Sequence, residues 1–368
     1  MGLIRFKKMK KEVNLMKLHN LFCQILEDSR KIVVRKSVGP RHALSLLPPD
    51  CFVALLLAMT FFLLVSAGDA AAKVRVITSL PDFAAITKEI GGDKVEVESL
   101  AKGYQDPHFV DAKPSYVLKL NRADLLIYNG MELEIGWLPP LITGSRNSKI
   151  TSANSPGNLN ASTLISIILE VPTTRVDRSM GDIHPSGNPH YWLDPRNGIA
   201  IAKGIAERLK EIDPENSSYY DEHLGDFVKR LSAKMKEWDD KLAPYKGTQI
   251  VTYHKGWVYF SNWAGFQEAG YVEPKPGIPP SPSYVANLIR KIQGLNVKLV
   301  IAESYYPQKV PALIAQKAGA SFLVLPAHVG GRDGINTYFD LLDVIVNEVT
   351  SKLENMKQAV NSSNVTGG

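Results

Sequence analysis

The stretch DPENSSYYDEHLGDFVKRLSAKMKEWDDKL, from Asp213 to Leu242, decides how the rest of the chain is read. Leu224, Phe227, Leu231 and Met235 recur at spacings of three and four. Lys234, Lys236, Glu237, Asp239 and Asp240 take the other faces, the pattern of an amphipathic helix. Asp213 and Pro214 predict its start, an aspartate cap followed by proline at the first helical position. From about Glu215 to Leu242 such a helix is roughly 40 Å long at 1.5 Å per residue. That is too long for an ordinary crossover, and it predicts a helix that spans two lobes.

On both sides of it, short β-branched runs alternate with helical patterns. Before it, Val74–Thr78, Val95–Leu100 and Leu125–Tyr128 read as strands. Phe83–Ile90, Ser115–Asn121 and Leu133–Leu141 read as helices, the last broken by Pro139-Pro140, and Ile199–Ile212 follows Asp194-Pro195. Ser152 to Asn188 reads as loop with one apolar element at Leu164–Leu169. After the long helix, strands are predicted at Gln249–Tyr253, Tyr271–Glu273, Val297–Ala302 and Ser321–Leu325. Helices are predicted at Trp257–Ala264, Ser283–Ile292, Lys309–Ala318 and Tyr338–Leu353. Apolar strands separated by helices indicate parallel sheet covered on both faces. The expected fold is therefore α/β, two Rossmann-like lobes with mostly parallel sheets bridged by a long rigid helix. The expected parts are a leader (1–72), a first lobe (73–198), a helical linker (199–246), a second lobe (247–358) and a flexible tail (359–368). Such an architecture places its ligand in the cleft beyond the carboxyl ends of the strands.

The leader has its own signature. Residues 52–66 are apolar, preceded by Arg30, Lys31, Arg35, Lys36 and Arg41, and followed by the small residues Ala67-Gly68-Asp69-Ala70-Ala71-Ala72. That order is the order of an export signal, and the apolar run is short of the roughly 20 residues of a membrane crossing. A cleaved signal is expected, with an uncleaved anchor as the other reading. The leader holds 11 of the 43 Lys and Arg and 5 of the 37 Asp and Glu, which leaves 32 of each from Lys73 onward. The basic character thus belongs to the leader and gives no support to nucleic-acid binding. Both cysteines, Cys23 and Cys51, lie there too, so the exported part relies on its core for stability.

Three histidines far apart in sequence occupy turn or strand-end contexts. His108 follows Asp106-Pro107, His190 sits in Asn188-Pro189-His190-Tyr191-Trp192-Leu193-Asp194-Pro195, and His254 ends the strand before it. Histidine is the commonest metal ligand, and each neutral ring offers one nitrogen. None of these contexts is specific alone, and there is no His-Glu-x-x-His or Cys-x-x-Cys pattern. His184 stands near His190 as a reserve ligand, and His223 fits the exposed side of the long helix.

Together, Asp106-Pro107-His108, Asn129-Gly130 with Glu132 and Glu134, Asn188 to Pro195, Tyr253-His254, Glu303 and the closing Tyr338 helix resemble the periplasmic zinc- and manganese-binding proteins of ABC importers. The resemblance runs from about Val74 to Leu353. It implies one metal in a cleft, with His108 and His190 from the first lobe and His254 from the second as ligands. It also implies an ABC-type permease as partner and a monomeric receptor. Manganese-binding and some zinc-binding members place an aspartate just before the aromatic pair of the last helix, where this chain has Asn336. Asp333, Glu303 or water are then the expected choices for the fourth ligand. Imidazoles with one carboxylate or water favour zinc, and manganese prefers more carboxylate. Zinc is expected first, with manganese or iron as alternatives.

Two other functions fit a three-histidine site. An exported zinc hydrolase needs a general base, for which Asp106, Asp333 or Glu303 would serve; an adhesin would use metal structurally. The proline-rich run Glu273 to Pro282 is expected either to line the cleft rim or permease-facing surface, or merely to join a strand to a helix capped by Ser281 or Ser283.

Overall fold

The structure, a computed structural model, describes residues 72–173, 184–275 and 277–365. The leader expected over 1–72, including its signal and both cysteines, lies outside the described residues except for Ala72. Among the described residues no helix is long and apolar enough to cross a membrane.

The first lobe runs β1 (Val74–Thr78), α1 (Pro81–Gly91), β2 (Val95–Ser99), α2 (Pro114–Asn121), β3 (Leu125–Tyr128), α3 (Leu138–Ser145), α4 (Ser148–Thr151) and β4 (Asn158–Asn160). Its sheet has the order β2-β1-β3-β4 with every pairing parallel. Two helices follow, α5 (Pro195–Ile212) and α6 (Ser217–Leu242). The second lobe runs β5 (Gln249–Thr252), α7 (Val258–Ala264), β6 (Gln267–Tyr271), α8 (Pro282–Gln293), β7 (Leu299–Glu303), α9 (Lys309–Ala318) and β8 (Ser321–Leu325). Its sheet repeats the pattern as β6-β5-β7-β8, again parallel throughout. The chain closes with α10 (Tyr338–Val365). The two α/β lobes expected from the sequence are thus present, and in each the chain reverses direction of travel across the sheet beside its first strand. That is where open parallel sheets present their ligand sites.

Proline opens many of the helices. Pro81, Pro114, Pro195 and Pro282 stand in the first turn of α1, α2, α5 and α8, each behind a residue in extended backbone. The pyrrolidine ring pushes its predecessor out of the helical region and wastes no intrahelical hydrogen bond at the first position. The same rule corrects one expectation: Pro139-Pro140 begin α3 rather than break a helix over 133–141.

Other differences have equally local causes. The Asp213 carboxylate accepts from Asn216 Nδ2 (2.7 Å) and the Tyr220 hydroxyl (2.6 Å) rather than from backbone, so Pro214–Asn216 forms a 3-10 turn and α6 begins at Ser217. β6 lies at residues 267–271, earlier than the expected Tyr271–Glu273, because it is a polar edge strand without an apolar run. β4, with two asparagines in three residues at the other sheet's edge, had no strand signal. The last helix continues to Val365, into the stretch expected to be a loose tail.

The long helix α6 does bridge the lobes. Phe227, Leu231, Trp238 and Leu242 are buried along one face. Near its start, His223 Nδ1 lies 3.0 Å from the Glu89 carbonyl and Arg230 pairs with Glu89 at 2.6 Å, both on α1. Near its end, Trp238 Nε1 donates to Asp343 (2.8 Å) and Lys241 to Asn347 (2.9 Å), both on α10. His223, read as solvent-facing, is partly buried and stacks on Tyr219 with centroids 4.1 Å apart.

Candidate metal centre

Parallel strands deliver their carboxyl ends to one edge of each sheet, and the chemistry collects there. His254 comes two residues after β5, Glu303 ends β7, and Asn129 follows β3 directly. His108 sits in the loop after β2. His190 is brought in by the long loop that precedes α5.

That loop is held by Asn129 and Gly130. Asn129 Nδ2 donates to the Pro189 carbonyl (3.0 Å), and the Tyr191 hydroxyl donates to the Asn129 carbonyl (2.6 Å). Gly130, Met131 and Glu132 all have positive φ (79°, 50° and 62°), a tight left-handed path that only glycine takes freely. The buried Glu134 carboxyl secures this turn by accepting the N–H groups of Asn129 (2.7 Å) and Gly130 (3.1 Å). Its pKa is nevertheless raised, because burial outweighs those bonds.

His108, His190 and His254 meet. One ligand nitrogen from each lies within 4.8 Å of the others, and all three rings are buried. Their ring centroids are 5.3, 5.3 and 5.1 Å apart. The edge of a tetrahedron with Zn–N bonds of 2.0–2.1 Å is about 3.4 Å, so a small inward adjustment closes these nitrogens on one ion.

Each ring is oriented by an acceptor on its other nitrogen. His108 Nδ1 is 2.8 Å from Asp106 Oδ1, His190 Nδ1 is 3.0 Å from Asn188 Oδ1, and His254 Nδ1 is 3.0 Å from Glu273 Oε2. Oxygen acceptors place the proton on Nδ1 and leave the Nε2 lone pair of every ring for an ion, the usual arrangement behind metal-binding histidines. Asp106 and Asn188 also accept the backbone N–H of the histidine two residues on, at 3.0 Å in both cases. The spacing Asp-Pro-His and Asn-Pro-His therefore has one physical meaning, a side chain that fixes both the backbone and the ring of the ligand. Trp137 Nε1 completes the first turn by donating to the Pro107 carbonyl at 2.9 Å.

Burial, followed by the charges of His254, His108, His184 and His328, holds the His190 imidazole well below its ordinary pKa of 6.5. Burial and the charges of His108 and His254 bring His184 down to about 3. Burial works to raise Asp106, but the hydrogen bond from His108 wins and its carboxyl stays below the usual range. These imidazoles are thus uncharged, and an incoming cation meets no competing proton on them near neutral pH. A denatured chain titrates near 6.5 and binds more protons than the folded one below that value. The stability from His184 and His190 is therefore complete above about pH 6.5 and is lost as pH falls through the window below it. The slope reaches about 1.4 kcal/mol per pH unit for each group. The buried carboxyls of Glu134, Glu268 and Glu303, whose pKa values are raised, act in the opposite direction over the same range, so the histidine contribution is read as a difference. In the metal-free state the urea midpoint of His184→Gln is expected to fall less between pH 7 and pH 5 than that of the native protein, and parallel profiles would contradict this electrostatic picture.

Two of the expected ligands are placed elsewhere. Asp333 is exposed in the loop before α10 and lies outside the cluster. Asn336, in the aspartate position, is exposed too; its N–H and that of Thr337 donate to Asp340 Oδ2 (3.0 and 2.8 Å), while Thr337 Oγ1 accepts from Asp340 N (3.1 Å). This reciprocal capping box commits the loop to starting the helix. Glu303 is buried close by: a Cβ on Gly256 would meet Glu303 Oε1 at 2.7 Å, so a side chain there would have to displace that carboxyl. Burial, reinforced by the charges of Asp106 and Glu273, raises the Glu303 carboxyl well above the ordinary range. It lies beside the three-histidine cluster, outside the group whose ligand atoms are within 4.8 Å of one another.

Glu273 was missed as an orienting residue. The register explains its role: β5 and β6 are parallel neighbours, and Glu273 N donates to the Tyr253 carbonyl at 2.9 Å, which sets Glu273 beside His254. Only strand pairing, invisible in the sequence, brings them together. Glu273→Ala is expected to weaken zinc binding by roughly 10- to 100-fold in a chelator competition, with Glu273→Gln recovering part of the loss. Unaltered affinity would mean that packing alone orients His254. The proline run after it joins β6 to α8 and is mostly exposed, and Ser281 caps α8 by accepting from Tyr284 N at 3.3 Å.

Residues 76–352 match the family described as zinc-uptake complex component A, periplasmic. The chain belongs to this family. The manganese ABC transporter substrate-binding lipoprotein PsaA of Streptococcus pneumoniae is 31% identical over 264 residues, covering 68% of this chain and 80% of that protein. The metal ABC transporter substrate-binding lipoprotein FimA of Streptococcus parasanguinis is 29% identical over 272 residues, covering 72% and 83%. Among solved structures, a crystal structure of ZnuA superposes with a TM-score of 0.62 at 23% identity, covering 76% of this chain and 99% of its own. The cadmium-bound periplasmic metal binding protein from Candidatus Liberibacter asiaticus gives 0.62 at 22%, covering 76% and 100%. At these identities the structures establish the shared fold. Family membership makes this zinc-uptake component A relative an extracytoplasmic transport receptor rather than a hydrolase.

Proposed function

We propose that this receptor captures a single divalent transition metal, zinc in preference to manganese, and delivers it to an ABC-type membrane permease. The observation that carries the reading is the set of three buried imidazoles, each turned by an acceptor on Nδ1 so that Nε2 is left for an ion. Neutral nitrogen donors suit zinc, whereas manganese is better served by carboxylate and water. The nearby carboxylates lie outside the three-histidine group: Asp106 and Glu273 are engaged with imidazoles, and burial raises the Glu303 carboxyl well above its ordinary range, which disfavours its charged form. Manganese appears in the name of the streptococcal PsaA relative, and that assignment belongs to that protein.

Capture exchanges the ion's water shell for imidazoles that are already oriented, and little proton release is needed from His190, whose pKa is held well below its ordinary value. Release to a permease then requires separating ligands from two lobes, since His108 and His190 come from the first and His254 from the second. The test is a competition titration of metal-free protein with zinc and manganese. One zinc per chain is expected, with manganese at least about 100-fold weaker. Equal or tighter manganese binding would overturn the choice of zinc, and absence of stoichiometric binding would overturn the receptor reading.

A further inference from the structure

The geometry points to a fourth imidazole in the same site: His184, as the direct ligand that replaces the carboxylate of the family pattern and makes the receptor selective for nitrogen-seeking ions. This rests on the metal-receptor reading above and specifies its substrate class.

Three observations converge on His184. Its Nε2 lies 3.3 Å from His108 Nε2. That separation is close to the edge, about 3.4 Å, of a tetrahedron of nitrogens around one zinc. Its ring centroid is 5.3 Å from that of His108 and 6.4 Å from that of His190, so it stands beside the cluster, just outside the three whose nitrogens lie within 4.8 Å of one another, and a shift of the ring brings it in. Finally, the position where the resemblance expects a carboxylate is out of use, because Asn336 is exposed and its backbone is committed to capping α10.

The local chain explains how His184 gets there. His184-Pro185-Ser186-Gly187 closes a β-turn, with Gly187 N donating to the His184 carbonyl at 3.1 Å. Proline second and glycine fourth are the residues such a turn favours. Asn188 N then donates to the Leu169 carbonyl (2.8 Å), and the Tyr259 hydroxyl to the Asn188 carbonyl (3.0 Å). The turn therefore returns the chain to His190 on a fixed path, and His184 and His190 converge from its two ends.

The tautomers allow the assignment. Asp106 takes the Nδ1 proton of His108, so His108 Nε2 presents a lone pair toward His184. Without an ion, His184 Nε2–H donates to that lone pair. With an ion, His184 moves its proton to Nδ1 and both Nε2 lone pairs turn to the cation, with no change in net protonation. A site of four neutral imidazoles keeps the full charge of the ion and offers no hard oxygen. It takes zinc, cobalt, nickel or copper in their divalent states and discriminates against manganese, magnesium and calcium.

The experiment uses the full chain, stripped of metal and reconstituted with one equivalent of zinc. X-ray absorption at the zinc edge is expected to count four imidazoles in the native protein, and three imidazoles with one oxygen in His184→Ala. The variant should bind zinc about 10- to 100-fold more weakly and lose much of its preference over manganese, with water taking the fourth position. A native spectrum of three imidazoles and one oxygen, unchanged in the variant at equal affinity, would overturn the assignment while leaving the receptor reading intact. Failure of the native protein to hold zinc would overturn both. The count on the native protein decides the matter even if His184→Ala does not fold.

Discussion

Replacing His190 with alanine is expected to weaken zinc binding by at least about 100-fold, more than removal of any residue that merely orients a ligand. His190 is the most enclosed of the three cluster histidines, 4% exposed, with the His108, His254 and Trp192 rings all within 5.3 Å of its own, centroid to centroid. Its Nδ1 is taken by Asn188, whose Nδ2 in turn donates to the Lys255 carbonyl at 2.8 Å, next to His254. Loss of the ring therefore removes one of the three converging nitrogens, while Asp106 and Glu273 remain committed to the other two imidazoles. A Kd raised by two orders of magnitude, about 2.7 kcal/mol, with an unchanged far-ultraviolet spectrum is the expected outcome. A loss below tenfold would mean that His190 is no ligand.

Asp82→Ala is expected to be the most damaging substitution for stability, at about 3–5 kcal/mol. Asp82 lies in the first turn of α1, in the first lobe, with no exposure at all. Its carboxylate receives His328 Nδ1 at 2.6 Å and Val329 N at 3.0 Å, both in the second-lobe loop after β8. Alanine leaves these two donors buried without an acceptor, and an unsatisfied buried donor bears its whole desolvation penalty. The same junction continues behind the metal cluster: Trp192 stacks on His328 with centroids 4.8 Å apart, and its Nε1 donates to the Ala327 carbonyl at 2.8 Å. Urea unfolding at neutral pH measures the effect, and Asp82→Asn, which retains an acceptor, should lose less. A cost under about 1 kcal/mol for alanine would show that the loop repacks and that the carboxylate is not what ties the lobes.

The parts of the site legible in the sequence were those fixed by local chemistry. Asp-Pro-His and Asn-Pro-His carry their own orienting acceptor two residues before the ligand, and His254 follows a strand, so all three histidines stood out before any contact was known. The long amphipathic helix likewise announced two lobes through its length. What escaped reading depends on contacts between distant segments. Glu273 reaches His254 only through the register of β5 and β6, and Asp82 reaches His328 only across the lobe junction. Asp333 was drawn in by its proximity in sequence to an expected aspartate, but the capping box of Thr337 and Asp340 sets that loop's path and leaves it outside. Short edge strands such as β4 were hidden for a similar reason, since an edge strand buries little and needs no apolar run.

The most direct test of the central claim is a crystal structure of the zinc-loaded protein with anomalous diffraction measured at the zinc and manganese edges. One zinc is predicted in the cluster, within about 2.0–2.1 Å of Nε2 of His108, His190 and His254. An ion bound elsewhere, or one whose ligands exclude any of those three histidines, would contradict it.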